Sequence, residues 1–413
     1  MATDSGERLF HTHGSATYYK ENLDKVEHER KISADDKDLL LKYIGWRNSN
    51  QSLSGLRKTK IAQIMTGWRQ FIKKPWIECT ADDIRDGMGL LSESKYSQNT
   101  RNDYWKDLKP FMKWLKKRGL SNIDIEDISE IKGAGVNVDS HSPEDLLSLD
   151  EVDQIISASG STRNRALVSL LFESCARIYE ISRLKWGDLD FSKPPLVQLK
   201  IHQTKTERKT GVKYRHVPLI RNVAYLGAWR NEYKSFTGKE PTLDDFVFVD
   251  ERRKQMAYPA MRQVIVRAAK AAGLDKRVHP HLFRASAITQ LVRENYNQST
   301  ICEVAWGNVS SNMFRHYVRL SREDINREFQ QKAGITIQED QNKPRVPIIC
   351  PHCSCSNPPS ARHCMECTTP LTAETKKSFR RSKEQAELQP EYQKIADEYA
   401  AKLLELQAGK TIV

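Results

Sequence analysis

Long apolar runs are missing from this sequence. No stretch approaches the roughly 20 residues that a bilayer-spanning helix needs, and Met1 to Gly14 has no apolar core of the kind a signal peptide carries. The expectation is therefore a soluble, cytoplasmic chain without a membrane partner. Cysteine is sparse as well. There are eight in 413 residues, and five of them crowd into Cys350–Cys367, leaving Cys79, Cys175 and Cys302 scattered. That distribution excludes a disulfide framework and reads as one metal site plus isolated thiols. A surplus of acid is also absent: 66 Lys and Arg stand against 53 Asp and Glu, a net charge of +13. A basic excess suits a polyanionic partner, most commonly nucleic acid, although a merely soluble basic protein has the same balance.

The length calls for two or three domains. Residues 1–33 are polar and mixed in charge and read as a loose arm. Over residues 34–133 the apolar spacing is helical, in Leu39, Leu40, Tyr43 and Ile44 and again in Ile61, Ile64, Met65 and Trp68. Thr80 and Asp83 have capping-box spacing ahead of Ile84. Tyr104, Leu108, Phe111, Met112 and Leu115 form a stripe that ends at Gly119, and Pro110 within it predicts a kink or a short break. Lys106, Lys109, Lys113, Lys116 and Lys117 fit either a solvated helix face or a contact with nucleic-acid backbone. Residues 134–147 read as a linker in which Ser142-Pro143 starts a short helix.

A second domain, residues 148–335, opens on the capping box of Ser148 and Glu151. Ala166–Phe172 reads as an apolar helix. Residues 195–203 and 213–219 read as a hairpin around a basic turn, and Phe246–Val249 as another short strand. A helix is expected from Tyr258 to Ala272, stopped by Gly273. The fold class is thus mainly α with a small antiparallel sheet.

Five segments of this domain carry functional groups: Cys175-Ala-Arg177-Ile-Tyr-Glu180, Thr204-Lys205-Thr206, His281-Leu-Phe-Arg284, Trp306, and His316-Tyr317. Taken together and in this order, they resemble the tyrosine recombinase or phage-type integrase family, in an archaeal-like form with a C-terminal zinc ribbon. The resemblance covers about 148–325, with a weaker helical match over 34–133, which by that likeness is a core-binding domain that clamps DNA. It implies a catalytic set of Arg177, Lys205, His281, Arg284, Trp306 and Tyr317, supported by Glu180. Two guanidiniums can fork onto a phosphate. A tyrosine can store the cleaved bond as a 3′-phosphotyrosine, so rejoining needs neither ATP nor a catalytic metal. Lys205 is a candidate acid for the departing 5′ oxygen, His281 can accept the tyrosine proton or donate to the phosphate, and the Trp306 indole can donate to a phosphate oxygen. The resemblance further implies double-stranded DNA as partner and a tetramer on two DNA sites.

Several residues have competitors. Arg177 and Glu180 also fit an ordinary i, i+3 surface pair. Lys205 competes with Lys200, Lys209 and Lys213, His281 with His279, and Tyr317 with His316 and Tyr296, while Trp306 also fits a core position. Two departures from the family pattern stand out. Cys175 replaces the usual glycine, with a small residue kept, and Ala285 stands where many relatives have histidine. A non-catalytic DNA-binding relative and a type IB topoisomerase-like nicking enzyme are the alternative functions, and a zinc-ribbon transcription regulator is a more distant one.

Over residues 346–372, Cys350, Cys353, Cys364 and Cys367 form two C-x-x-C knuckles, the ligand pattern of a structural zinc. Cys355, His352 and His363 are spare candidates that break the symmetric pairing. Residues 373–413 add a basic segment, Lys376-Lys377 and Arg380-Arg381, and an amphipathic stripe of Tyr392, Ile395, Tyr399, Leu403 and Leu406.

Overall fold

The structure is a computed structural model, and it describes residues 17–133, 135, 142–193, 195–202, 214–221, 223–334, 346–382, 393–394 and 398. Lys205, Lys209 and Lys213 lie outside the described residues, as does the stripe from Tyr392 to Leu406. The chain divides into two compact units, one of residues 1–142 with the segment 257–259, the other of the remainder. The fold is mainly α with small antiparallel sheets. No described helix is long and apolar enough to cross a membrane.

In the first unit, α1 (Tyr18–His28), α2 (Ala34–Gln51), α3 (Gly55–Gly67), α4 (Ala81–Glu93), α5 (Gln98–Lys117) and α6 (Ile125–Glu130) follow in order. The loose arm expected over residues 1–33 does not extend to α1, whose Tyr19 and Leu23 are buried in the unit's core. Ser33, Ser54, Thr80, Ser97 and Asp124 each accept a backbone N–H at a helix start, and Thr80 with Asp83 completes the capping box. Trp68, Trp76, Tyr43 and Phe111 are fully buried, with Trp76 edge-on to Phe111 at 5.6 Å. Each such ring contributes about 2–3 kcal/mol on burial. Helix α5 continues unbroken through Pro110. Pro110 and Lys106 are both exposed, so water can solvate the carbonyl the proline leaves unbonded, while Trp105, Leu108, Phe111 and Met112 hold the helix down on its other face. On the lysine-rich face, Lys109 Nζ donates to the Ser129 carbonyl and Lys116 Nζ to that of Asn122.

The second unit begins with a 3-10 turn, Pro143–Asp145. Leu146 and Leu147 are buried, and the Leu147 N–H donates to Ser286 Oγ at 2.8 Å. The capping box of Ser148 and Glu151 then starts α7 (Leu149–Ser157). Helix α8 (Thr162–Glu173) is buried on all sides from Ala166 to Phe172, as a helix at the centre of its unit must be. It packs against α7, against α10 (Val223–Thr237) and against α12 (Pro280–Arg293). Between α8 and α10 lie α9 (Ile178–Ser182) and an antiparallel sheet of β1 (Leu189–Lys193), β2 (Leu196–His202) and β3 (Tyr214–Leu219). Register pairs Leu199 with Val217 and Ile201 with Arg215. Residues 246–249 make only isolated bridges, Lys185 to Phe246 and Val249 to Gln255, rather than the expected strand. Side chains take three of their carbonyls, with Trp229 Nε1 donating to Val247 O at 2.8 Å, and the Met256 N–H takes that of Phe248 at 3.1 Å. Helices α11 (Tyr258–Ala271), α13 (Gln298–Trp306), α14 (Phe314–Tyr317) and α15 (Arg322–Lys332) follow, and β4 (Ile348–Ile349) pairs with β5 (Ser356–Asn357) near the cysteines.

Candidate active site and metal centre

The site is assembled where α8 ends. Cys175 follows the helix with φ +49°, a left-handed turn that disfavours any side chain. The small side chain suits the packing, but the backbone here is one that glycine adopts without strain. The buried Cys175 thiol is pushed up to about 11, mainly by desolvation. After this turn Arg177 occupies the N-cap of α9. Its N–H donates to Glu180 Oε2 at 2.8 Å and its guanidinium to Oε1 at 3.0 Å. The i, i+3 spacing is thus a helix-capping arrangement. It is not a surface pair, because the Glu180 side chain is 7% exposed.

Sequence reasoning missed a third member. Arg215, on β3, is fully buried and grips the same carboxylate with both terminal nitrogens, at 3.2 Å to Oε1 and 2.8 Å to Oε2. Its Nε donates to Val304 O on α13 at 2.7 Å. Burial alone raises the Glu180 pKa, but Arg215, then Arg177 and Arg284, outweigh it and hold the carboxyl down to about 2. The clue in the sequence was strand parity: Arg215 shares the inward face of β3 with Val217 and Leu219, and a cation there needs a partner.

Arg284 lies on α12, also fully buried. It donates to the carbonyls of Cys175 and, at 2.8 Å, Ala305. Its guanidinium carbon is 5.3 Å from the ring centres of both Trp306 and Tyr317, which meet edge-on at 5.7 Å. Burial and then the charge of Arg177 push its pKa down to about 10, so it remains protonated at neutral pH. Trp306 closes α13 and is 5% exposed, so its core and site positions coincide. Tyr317 is half-buried at the end of α14. Thr289, also missed in the sequence, fixes this segment by donating to the Tyr317 carbonyl and accepting from the Arg319 N–H, both at 3.2 Å.

The competing histidines separate by position. His279 caps α12, its Nδ1 accepting from the Leu282 N–H, whereas His281 is exposed on the first turn. Tyr296 is also exposed. Arg177, Glu180, Arg284, Trp306 and Tyr317 are therefore brought into one neighbourhood. This arrangement can hold an anion between two cations beside a phenol. Lys205 lies among residues 203–213, outside the described residues.

The second candidate site is the cysteine cluster. The sulfurs of Cys350, Cys353, Cys364 and Cys367 all lie within 4.8 Å of one another, with Cys350–Cys367 and Cys353–Cys364 at 3.5 Å. Donors surround them: the His352 N–H and Asn357 Nδ2 point at Cys350 and Cys364. Burial raises the Cys364 thiol, but the N–H groups of Cys367 and Glu366 outweigh it and bring it down to about 6. The four soft ligands and their supporting donors fit a metal ion. The spare candidates Cys355, His352 and His363 do not join the cluster.

Comparison with known proteins follows the same lines. Residues 145–324 match the model of the phage integrase family. The chain is similar to the tyrosine recombinase XerC of Pediococcus pentosaceus, 25% identical over 171 residues, which are 41% of this chain and 54% of that relative, so the match spans about half of the relative's length. By fold it is similar to a XerH site-specific recombinase bound to palindromic difH substrate in a post-cleavage complex. There the TM-score is 0.56 and the identity 14%, over 80% of this chain and 92% of the other. It is also similar to a lambda integrase tetramer bound to a Holliday junction, at TM-score 0.51 and 17% identity, over 68% and 76%.

Proposed function

We propose, from the match of residues 145–324 to the phage integrase family model, that this chain is a tyrosine recombinase, a site-specific DNA recombinase whose nucleophile is Tyr317. The observation that carries the reading is the Arg284 guanidinium, buried on carbonyls and set 5.3 Å from the Tyr317 ring. A phosphate drawn to Arg284 and Arg177 lies within reach of that phenol. Tyr317 Oη attacks phosphorus and gives its proton to His281. The bond from phosphorus to the 5′ oxygen breaks, that oxygen takes a proton from Lys205, and a 3′-phosphotyrosine forms with a free 5′ hydroxyl. Arg177, Arg284 and the Trp306 N–H stabilise charge on the non-bridging oxygens. Rejoining runs the same steps backwards, so the bond energy is conserved and ATP is not required.

The partner is double-stranded DNA. Four protomers on two sites would exchange strands, as the tetrameric assembly of the lambda integrase suggests. Action on DNA agrees with the cytoplasmic location expected from the sequence. Cys350, Cys353, Cys364 and Cys367 would hold a zinc ion. Four thiolates leave it no open position, so it serves the fold.

The test is covalent trapping on nicked duplex carrying a candidate site from the flanks of the encoding element, without added ATP or metal. Wild type should give a denaturant-resistant adduct. Tyr317→Phe should bind the duplex equally well and give none. An adduct with both proteins would mean a different nucleophile, and tight binding without an adduct in either would favour a non-catalytic DNA-binding protein.

A further inference from the structure

We propose that Arg215 is a positioning residue for the reaction, holding Glu180 so that Arg177 keeps both its orientation and its charge for the phosphate; this rests on the recombinase reading above. Glu180 is shared. Oε1 accepts from Arg177 Nη1 at 3.0 Å and Arg215 Nη1 at 3.2 Å, while Oε2 accepts from the Arg177 N–H and Arg215 Nη2, both at 2.8 Å. Exposure divides the two cations. The Arg215 side chain is at 0% and that of Arg177 at 32%. Arg215 spends Nε, Nη1 and Nη2 on protein oxygens, whereas the Arg177 guanidinium also opens to solvent, where a substrate can reach it.

The electrostatics follow from this division. A carboxylate paired with Arg177 alone would neutralise it and draw it inward. With Arg215 supplying the compensating charge, two cations share one anion, and the surplus positive charge resides on the side chain that faces solvent. The planar fork also fixes the carboxylate's rotation, and so the direction from which Arg177 is held. Through Nε, Arg215 further binds Val304 O, two residues before Trp306. It thus ties α9, β3 and α13 together at one buried point, and small displacements there reach two groups of the site.

The test uses the full chain and compares wild type, Arg215→Lys, Arg215→Met and the charge-neutral pair Glu180→Gln with Arg215→Gln, which keeps the site testable if a lone buried carboxylate prevents folding. Adduct formation on saturating nicked duplex should slow by about 10- to 100-fold in Arg215→Lys and further in Arg215→Met, the scale of a misplaced binding group. Affinity for the duplex should change by less than about 3-fold, a difference typical of uncoupled sites. In an Arg177→Ala background, adding Arg215→Lys should cost little more, because both changes remove one interaction. Equal slowing in both backgrounds, or wild-type rates in the neutral pair, would overturn the assignment and leave Arg215 a folding residue.

Amide exchange supplies a readout independent of catalysis. Residues 176–181 should exchange faster in the Arg215 variants while α8 is unchanged, and unchanged exchange there also overturns the proposal. If wild type itself forms no adduct, the recombinase reading fails, and exchange alone then decides whether Arg215 holds Arg177.

Discussion

The arginine site and the cysteine cluster solve one problem, the gathering of charged groups, in opposite ways. Around Arg284, charge is held by the protein itself: carbonyls of Cys175 and Ala305, the Glu180 carboxylate, and the apolar mass of α8 and α12 behind them. Around Cys350–Cys367 there is little apolar mass. Two-residue strands meet there, Ile349 is 55% exposed, and the buried residues are Cys350, Asn357, Pro358 and Cys364. The first region is fixed by packing, whereas the second gathers four sulfurs that could hold a metal ion. A site built on a large core tolerates the loss of one contact, and a site built on an ion does not tolerate the loss of the ion.

Removing metal is the largest test of that contrast. Zinc bound by four thiolates typically contributes on the order of 10 kcal/mol to so small a fold. Chelation should therefore expose the amides of residues 346–372 to rapid exchange while those of α8 and α12 stay protected. Protection of 346–372 that survives chelation would show that packing holds both regions.

The next effect in size is pH. The Glu180 pKa is lowered on folding, from near 4.5 to about 2. Its contribution is thus fully present above about pH 4.5 and is lost as pH falls towards 2, on the order of 3 kcal/mol. Acid titration of the melting temperature should show this loss in wild type and much less of it in the Glu180→Gln, Arg215→Gln pair. An identical acid slope in both would mean that the buried ion pair does not hold the region.

The smallest test concerns a turn. Gly307 caps α13 with φ +72°, directly after Trp306. Gly307→Ala should cost about 1 kcal/mol, read as a drop of a few degrees in melting temperature. It should leave the metal-dependent exchange of residues 346–372 unchanged, because the two regions rest on different forces. A larger loss confined to 346–372 would merge the two regions into one.

Part of this was legible in the sequence, residue by residue. Ser148 with Glu151 and Thr80 with Asp83 announced their helices because a capping box is a local arrangement three residues long. The C-x-x-C pairs gave the four sulfurs for the same reason, and Arg177, Arg284, Trp306 and Tyr317 were recognisable through their order along the chain. Helix α10 went unread although Leu226, Trp229 and Tyr233 are buried along one face of it, and strand β1 went unread as well. Residues 246–249, apolar enough for a strand, found scattered partners in side chains and loop backbone and never paired as one.

The sequence by itself determined the local devices: caps, the helical stripes, the paired cysteines, and the identity of the groups available for chemistry. Each depends on residues within a turn or two of one another, so spacing is enough to specify it. Only the tertiary structure decided that Arg215 reaches Glu180 across 35 positions, that Arg284 closes on the carbonyl of Cys175 across 109, and that Thr289 anchors Tyr317. Those contacts follow from burial, which strips water from a charge and forces it to find a partner wherever the fold brings one near.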